Sequence, residues 1–257
     1  MAQPVDFCVF SVLVTGSNRG IGLGLVKRFL ELPSPPQWVF ATTLDLEGKE
    51  NKELRELACK YPNLVVLQLD VTKPESIQAA LNEVQKCVGE GGLTILYNNA
   101  GIFSNNDLQT ENAKVMMEVY SVNTIGPLQM SQAFLPLLKK AARRSPCQGL
   151  SASKAAIINM SSIAGSIELM AHFDQYQVVA YRCAKISRNN FLENSSQEQM
   201  FLTPNFSEAF CLISLIFLHH PVVLLYASDC PKHAHQVSVP WIFSRWHPEC
   251  RHAPWIS

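Results

Sequence analysis

Tyr181 and Lys185 stand four residues apart in Tyr181-Arg182-Cys183-Ala184-Lys185. On a helix that spacing puts a phenol and an ammonium on one face. A phenol with an ordinary pKa of about 10 exchanges protons poorly near neutral pH. A cation held beside it favours the phenolate and brings that value down. Such a pair can deliver a proton to an alkoxide as it forms on a substrate. By itself the spacing is weak, since any surface helix can carry it. A second signal lies far upstream, where Thr15-Gly16-Ser17-Asn18-Arg19-Gly20-Ile21-Gly22 follows an apolar run and leads into helical spacing. Glycines at these points allow a tight turn, close approach of backbone to a pyrophosphate, and close packing of a helix on a strand. Amides at the helix start then face the anion. A glycine-rich loop alone is an ordinary turn; its place between strand and helix gives it weight.

The elements that must position these residues follow a regular alternation. Apolar runs predict strands at Cys8–Val14, Trp38–Thr42, Leu64–Leu69, Leu93–Tyr97 and Ala155–Met160. Helical spacing predicts helices over Gly22–Leu32, Lys49–Lys60, Pro74–Val88 and Ala113–Ala142, with Pro74 in the first turn where proline is tolerated. Strand and helix alternating in this way predict an α/β fold with a parallel sheet covered on both faces and right-handed crossovers. Near residue 190 the alternation stops. Residues 191–257 hold six of the seven histidines and only eight charged residues, which divides the chain into a dinucleotide-binding and catalytic part, 1–190, and an atypical tail, 191–257.

The wording of the motifs makes the resemblance specific. The TGSNRGIG turn resembles the TGxxxGxG fingerprint of the classical short-chain dehydrogenases/reductases. Asp70-Val71-Thr72 is similar to the segment whose acid meets the adenine ring, and Asn98-Asn99-Ala100-Gly101 matches that family's NNAG motif. Asn123, within Tyr120-Ser121-Val122-Asn123-Thr124-Ile125-Gly126-Pro127, stands where the family keeps a helix-kinking catalytic Asn. Asn159-Met160-Ser161-Ser162-Ile163-Ala164-Gly165 resembles the NxSSxxG segment, in which the second serine bonds the substrate oxygen; that selects Ser162. The interval of 19 residues from Ser162 to Tyr181 is longer than the family's commonest spacing. It resembles the C-factor-like and sniffer-like carbonyl reductase branch.

The resemblance implies a single Rossmann-type doubly wound domain that transfers hydride between NADP(H) and a small-molecule carbonyl or alcohol. It implies Tyr181 as acid, Lys185 as its tuner and ribose holder, Ser162 as oxyanion partner and Asn123 in a proton relay. It assigns cofactor contacts to Gly16, Ser17, Asn18, Arg19, Gly20, Ile21, Gly22, Asp70, Val71, Asn98, Ala100 and Gly101, together with Tyr181 and Lys185. Family members pair through long helices, so a homodimer is possible. An acid ending the second strand would select NAD over NADP, and none stands there before Asp45. Arg19 is suited to a 2′-phosphate, although a solvated loop charge explains it too, and the second cation many such reductases carry is Thr43 here.

Composition closes off other classes. The formal net charge of zero argues against a nucleic-acid binder, which needs a basic face. The start of the chain has no basic, cleavable leader, and the eight cysteines never form a CxxC pair, so reduced thiols and a cytoplasmic location are expected. The match fades after about residue 187: no Pro-Gly dipeptide follows, and the last strands of the sheet are expected to be missing or replaced. The apolar stretch Ala209–Ala227 is interrupted by His219-His220-Pro221, which counts against a membrane span. Cys230, His233, His235, His247, Cys250 and His252 fit no zinc-finger spacing well, and no metal is expected. The tail reads as an alternative ending grafted on a reductase. Three functions stay open: a carbonyl reductase, a nucleotide- or partner-binding chain without turnover, and a poorly folded product with a membrane-associated tail.

Overall fold

The computed structural model of the chain describes residues 9–146, 152–165 and 177–196. Its five strands are β1 (Ser11–Val14), β2 (Trp38–Thr43), β3 (Leu64–Gln68), β4 (Ile95–Asn98) and β5 (Ala156–Asn159). Its α-helices are α1 (Gly20–Leu30), α2 (Lys52–Lys60), α3 (Pro74–Val88), α4 (Ala113–Tyr120), α5 (Gly126–Arg144) and α6 (Val179–Ser196). The strands form one parallel sheet in the order β3-β2-β1-β4-β5. The expected α/β, Rossmann-type fold is therefore present. The chain reverses its direction of travel across the sheet between β1 and β4, and in open α/β sheets the crevice at that switch is where ligands bind.

The apolar runs are continuous because both sheet faces are covered. Val12, Val14, Val39, Ala41, Ile95, Tyr97, Ala156 and Ile158 pack with α1 and α2 through Leu23, Val26, Phe29 and Leu54. The alternate residues Leu13, Phe40, Leu96 and Ile157 pack on the opposite face with Ile77 and Val84 of α3 and Met130, Phe134 and Leu137 of α5. Each of these large side chains contributes roughly 1.5–3 kcal/mol by leaving water. The two half-cores hold the carboxyl ends of β1, β4 and β5 in fixed register, and those ends carry the motifs.

Three elements differ instructively from their sequence signals. The apolar run Leu93–Tyr97 begins pairing only at Ile95, because Leu93 N bonds Leu137 O and Thr94 N bonds the Ser11 hydroxyl at 3.0 Å. The single long helix expected over Ala113–Ala142 is interrupted by a π-helical turn at Ser121–Ile125. Pro127 explains the interruption: it has no N–H to offer the Asn123 carbonyl four residues back, so the ladder widens, with Gly126 N bonding Ser121 O. Third, the helix bearing Tyr181 and Lys185 runs on to Ser196, through the change of composition near residue 190. The missing or replaced last strands, the apolar stretch at 209–227 and the Cys/His cluster lie outside the described residues. Among the described residues, no helix is long and apolar enough to cross a membrane, and no group of three side chains is arranged to hold a metal.

Candidate active site

The glycine turn is built as its spacing predicts. Gly16 adopts φ +63°, in the left-handed region that favours glycine, and lies close enough to Ala100 that a Cβ would sit 3.0 Å from the Ala100 Cα. A Cβ on Gly22 would overlap the Gly16 carbonyl oxygen and crowd Asn99 Nδ2 at 2.5 Å. The turn is locked from behind. Ser17 N bonds Thr42 O at 2.7 Å, and the Ser17 hydroxyl donates to Val14 O at 2.6 Å. The Thr15 hydroxyl accepts from Asn99 N at 3.0 Å and Ala100 N at 2.9 Å, while Asn99 Nδ2 donates to the Thr15 and Gly16 carbonyls at 2.9 Å each. The start of α1 carries neither a capping side chain nor an acid in its first turn, and nothing lies within 4 Å of a Cβ built on Gly20. The residues present fit a dinucleotide pyrophosphate: an uncapped helix start faces open space. Arg19 and Ile21 are exposed, and Asn18 is partly exposed.

Gly22→Ala tests this packing. The new methyl has no room without moving backbone, so the variant is expected to lose about 1–3 kcal/mol of stability, as overpacked sites do. Dinucleotide-induced thermal stabilisation is expected to disappear with it; thermal melts with and without nucleotide measure both.

The other cofactor candidates separate into two groups. Asp70 Oδ1 accepts from Thr72 N at 3.0 Å and the Thr72 hydroxyl at 2.6 Å, and Oδ2 pairs with Lys73 at 3.3 Å. Partial burial pushes that carboxyl up, but the Thr72 and Lys73 bonds outweigh it and hold it below the usual carboxylate range. Val71 is buried against Gly126 at the start of α5. Asn98 is buried and its amide donates to Asn159 Oδ1 at 2.9 Å, tying β4 to β5. Ala100 and Gly101 do line the passage from the turn to Asn123: a Cβ on Gly101 would sit 3.0 Å from Asn123 Oδ1.

The four catalytic candidates gather beyond that passage. Asn123 lies inside the π-turn, fully buried, with Oδ1 accepting from Ile102 N at 2.9 Å and Nδ2 donating to Ile102 O at 2.8 Å. Thr124 next to it donates to the Ala184 carbonyl at 2.8 Å, fastening the π-turn to α6. The Ser162 hydroxyl lies beside the Tyr181 phenol, whose ionisation it favours, and accepts from Ala164 N at 3.2 Å. Ser161, its neighbour, donates to Asn189 Oδ1 at 3.1 Å. Lys185 Nζ donates to the Met160 carbonyl at 2.9 Å and lies 5.2 Å from the Tyr181 ring centroid.

Charge in this cluster is held away from water. Burial pushes the Tyr181 phenol up, opposed by the neighbouring Ser162 hydroxyl and the Arg188 charge. Burial, helped by Arg188, pushes the Lys185 ammonium down to about 7. Arg188 is three residues past Lys185 and only 1% exposed; burial pushes it down to about 10, and its Nε and Nη2 have no hydrogen-bond partner among the described residues. Tyr181, Lys185 and Arg188 thus occupy one stripe of α6, at positions i, i+4 and i+7. The stripe can present a proton donor with two cations behind it to whatever enters the crevice.

Several contributors escaped the sequence reading. Thr15, Thr42 and Asn99 lock the turn, and two of them stood inside quoted motifs. Phe103 meets the Tyr181 ring edge-on at 5.0 Å while remaining 63% exposed, and no local pattern marks it. Glu111 Oε2 accepts from Ala180 N at 3.0 Å and so anchors the start of α6, where Val178 holds a left-handed φ of 36°. Arg188 carried no signal beyond its helical register.

Comparison with known proteins covers the same part of the chain. The family model described as short chain dehydrogenase matches residues 11–200. An NADPH-bound carbonyl reductase from chicken fatty liver is 51% identical, with a TM-score of 0.73 over 75% of this chain and 72% of that one. The carbonyl reductase Sniffer of D. melanogaster is 36% identical, with a TM-score of 0.70 over 76% of this chain and 78% of the other. Mouse estradiol 17-beta-dehydrogenase 2 is 37% identical over 163 residues, which are 62% of this chain and 38% of that protein. The chain therefore spans well under half the length of this curated relative, and its rat counterpart is covered to only 44%.

Proposed function

The chain belongs to the short-chain dehydrogenase family, and from that membership we propose that it transfers hydride between NADP(H) and a small-molecule carbonyl or alcohol, as a carbonyl reductase. One observation carries the reading: the Tyr181 phenol, the Ser162 hydroxyl and the buried Lys185 ammonium meet at the carboxyl end of β5, on the same side of the sheet as the glycine turn. When bound, the dinucleotide supplies the hydride. The turn Gly16–Gly22 holds its pyrophosphate, Asp70 and Val71 border the adenine, and Tyr181 and Lys185 hold the nicotinamide ribose.

Ser162 donates to the carbonyl oxygen and fixes its position. Tyr181 gives that oxygen a proton as negative charge develops on it. Lys185 keeps positive charge beside the phenol, which lowers the cost of its becoming phenolate. Asn123 supports the return of a proton: its side chain is spent on Ile102, and its carbonyl is spared by Pro127. NADP(H) is favoured over NAD(H) by Arg19 in the turn, by the absence of an acid at the end of β2, and by the NADPH bound in the chicken protein. A homodimer through the long helical stretch of α4 and α5 together with α6 accords with exposed Met117, Tyr120, Ile125 and Leu128.

Thermal melts with NADPH and NADH, followed by carbonyl-dependent NADPH oxidation, test the reading. Saturating NADPH at about a hundredfold over Kd is expected to add about 2.7 kcal/mol of apparent stability. Stabilisation without turnover of any aldehyde or ketone would support a binding protein instead. No stabilisation by either nucleotide would remove the proposal.

A further inference from the structure

The Arg19 guanidinium, the one cation of the glycine turn, already has a partner. Its Nε lies 3.7 Å from Glu50 Oε2, and the same oxygen accepts from Asn18 Nδ2 at 3.3 Å. Both donors belong to the turn, whereas Glu50 belongs to the short helical turn Lys49–Asn51 between β2 and α2. The Arg19 and Glu50 side chains are 78% and 66% exposed. An exposed pair of this kind adds little to stability, so its consequence is sought in what the two groups present to a ligand.

The loop that offers Glu50 is constructed rather than loose. Asn51 is buried; its Oδ1 accepts from the Thr43 hydroxyl at 3.0 Å and its amide donates to the Asp45 carbonyl. Arg55 Nη1 donates to the Leu46 and Gly48 carbonyls at 2.8 and 3.2 Å. Asp45 Oδ1 accepts from Glu47 N at 3.0 Å. These bonds fix the backbone on either side of Glu50, whose carboxylate meets Arg19 and Asn18 of the turn. The end of β2 itself supplies Thr43 and Leu44, neither of them charged.

We propose that Glu50 is the specificity-determining residue for the 2′ position of the bound dinucleotide, standing against Arg19 and limiting the preference for a 2′-phosphate. This rests on the reading of the turn as a dinucleotide site. A 2′-phosphate must take Arg19 from Glu50 and then sit beside an uncompensated carboxylate. A 2′-hydroxyl can instead donate to that carboxylate, leaving the Arg19 pair in place. The one acid therefore works against NADPH and tolerates NADH, although it stands seven residues beyond Thr43 rather than at the strand end.

Binding of NADPH, NADH, 2′,5′-ADP and 5′-AMP to the full chain and to Glu50→Gln, followed by calorimetry, tests this. Gln keeps the acceptor for Asn18 and removes the charge; melting curves check that this exposed substitution leaves the fold intact. The expected result is about five- to tenfold tighter binding of NADPH and 2′,5′-ADP, little change or weakening for NADH and 5′-AMP, and a difference that shrinks as salt rises. An unchanged NADPH-to-NADH ratio of Kd in a wild-type chain that binds both nucleotides would overturn the role of Glu50 alone. A wild-type chain that binds none of the four ligands would overturn the dinucleotide reading and this inference with it.

Discussion

Tyr181→Phe is expected to lower carbonyl-dependent NADPH oxidation by about 10²–10⁴-fold, the range that a positioned general acid contributes. It is expected to leave the melting transition and the NADPH-induced stabilisation nearly intact. The asymmetry follows from what the side chain touches. The ring packs edge-on against Phe103 at 5.0 Å and is part of a small apolar cluster with Val119, Ala180 and Ala184, contacts that phenylalanine keeps. Only the hydroxyl is lost, and the polar side chain set beside it is Ser162. Ser162 is half-buried and can turn to water, so no stranded polar group remains to destabilise the variant. Steady-state kinetics and nucleotide titration on the same preparation separate the two effects. Turnover within a few-fold of wild type would move the proton source elsewhere; loss of nucleotide binding would make Tyr181 a structural residue instead.

The parts of this site legible in the sequence are those that local physics fixes. Pro74 can begin a helix and Val88 precedes two turn-forming glycines, so the bounds of α3 match its sequence pattern end to end. The glycine turn is legible because a close approach of two backbones admits no side chain, and Tyr181 and Lys185 because helical geometry turns a spacing of four into a shared face. Pro127 could have announced the π-turn, since its missing N–H falls opposite the carbonyl of Asn123. Contacts made across the fold were not legible. Glu50 reaches Arg19 from 31 positions away, between elements with no common pattern. Phe103 lies in a loop, and its importance comes only from the direction in which α6 brings Tyr181. Arg188 is a further case, standing just beyond residue 187, where the family likeness fades. The helix continues through it and buries it beside the catalytic pair.

That burial produces the second large effect. Lys185→Met is expected to abolish turnover and, without nucleotide, to make the protein more stable near neutral pH. Lys185 is 4% exposed, and its ammonium is pushed down to about 7 by burial and then by Arg188. In the unfolded chain the same group titrates near 10.5. Between those values the unfolded chain holds a proton that the folded chain does not. Stability therefore rises with pH across that window, and the full penalty for burying the cation is present below it. Each pH unit of difference corresponds to about 1.4 kcal/mol, so the penalty at neutral pH is on the order of 3 kcal/mol once the retained bond to Met160 O is set against it. The test is urea unfolding of the nucleotide-free chain between about pH 7 and 8.5. This range lies below the onset of the opposing effect of Cys87, whose thiol burial raises above 9.0, and of the raised Tyr97 and Tyr181 phenols. Wild type is expected to gain stability across the range, whereas Lys185→Met starts higher and stays flat. Arg188→Met keeps the ammonium but removes its cationic neighbour, and is expected to move the rise to higher pH. Parallel pH dependence in wild type and Lys185→Met would show that this lysine is protonated equally in the folded and unfolded chains. In the expected case, the lysine beside Tyr181 is buried at the expense of the solvation of its charge, and the fold gives up stability to keep it there.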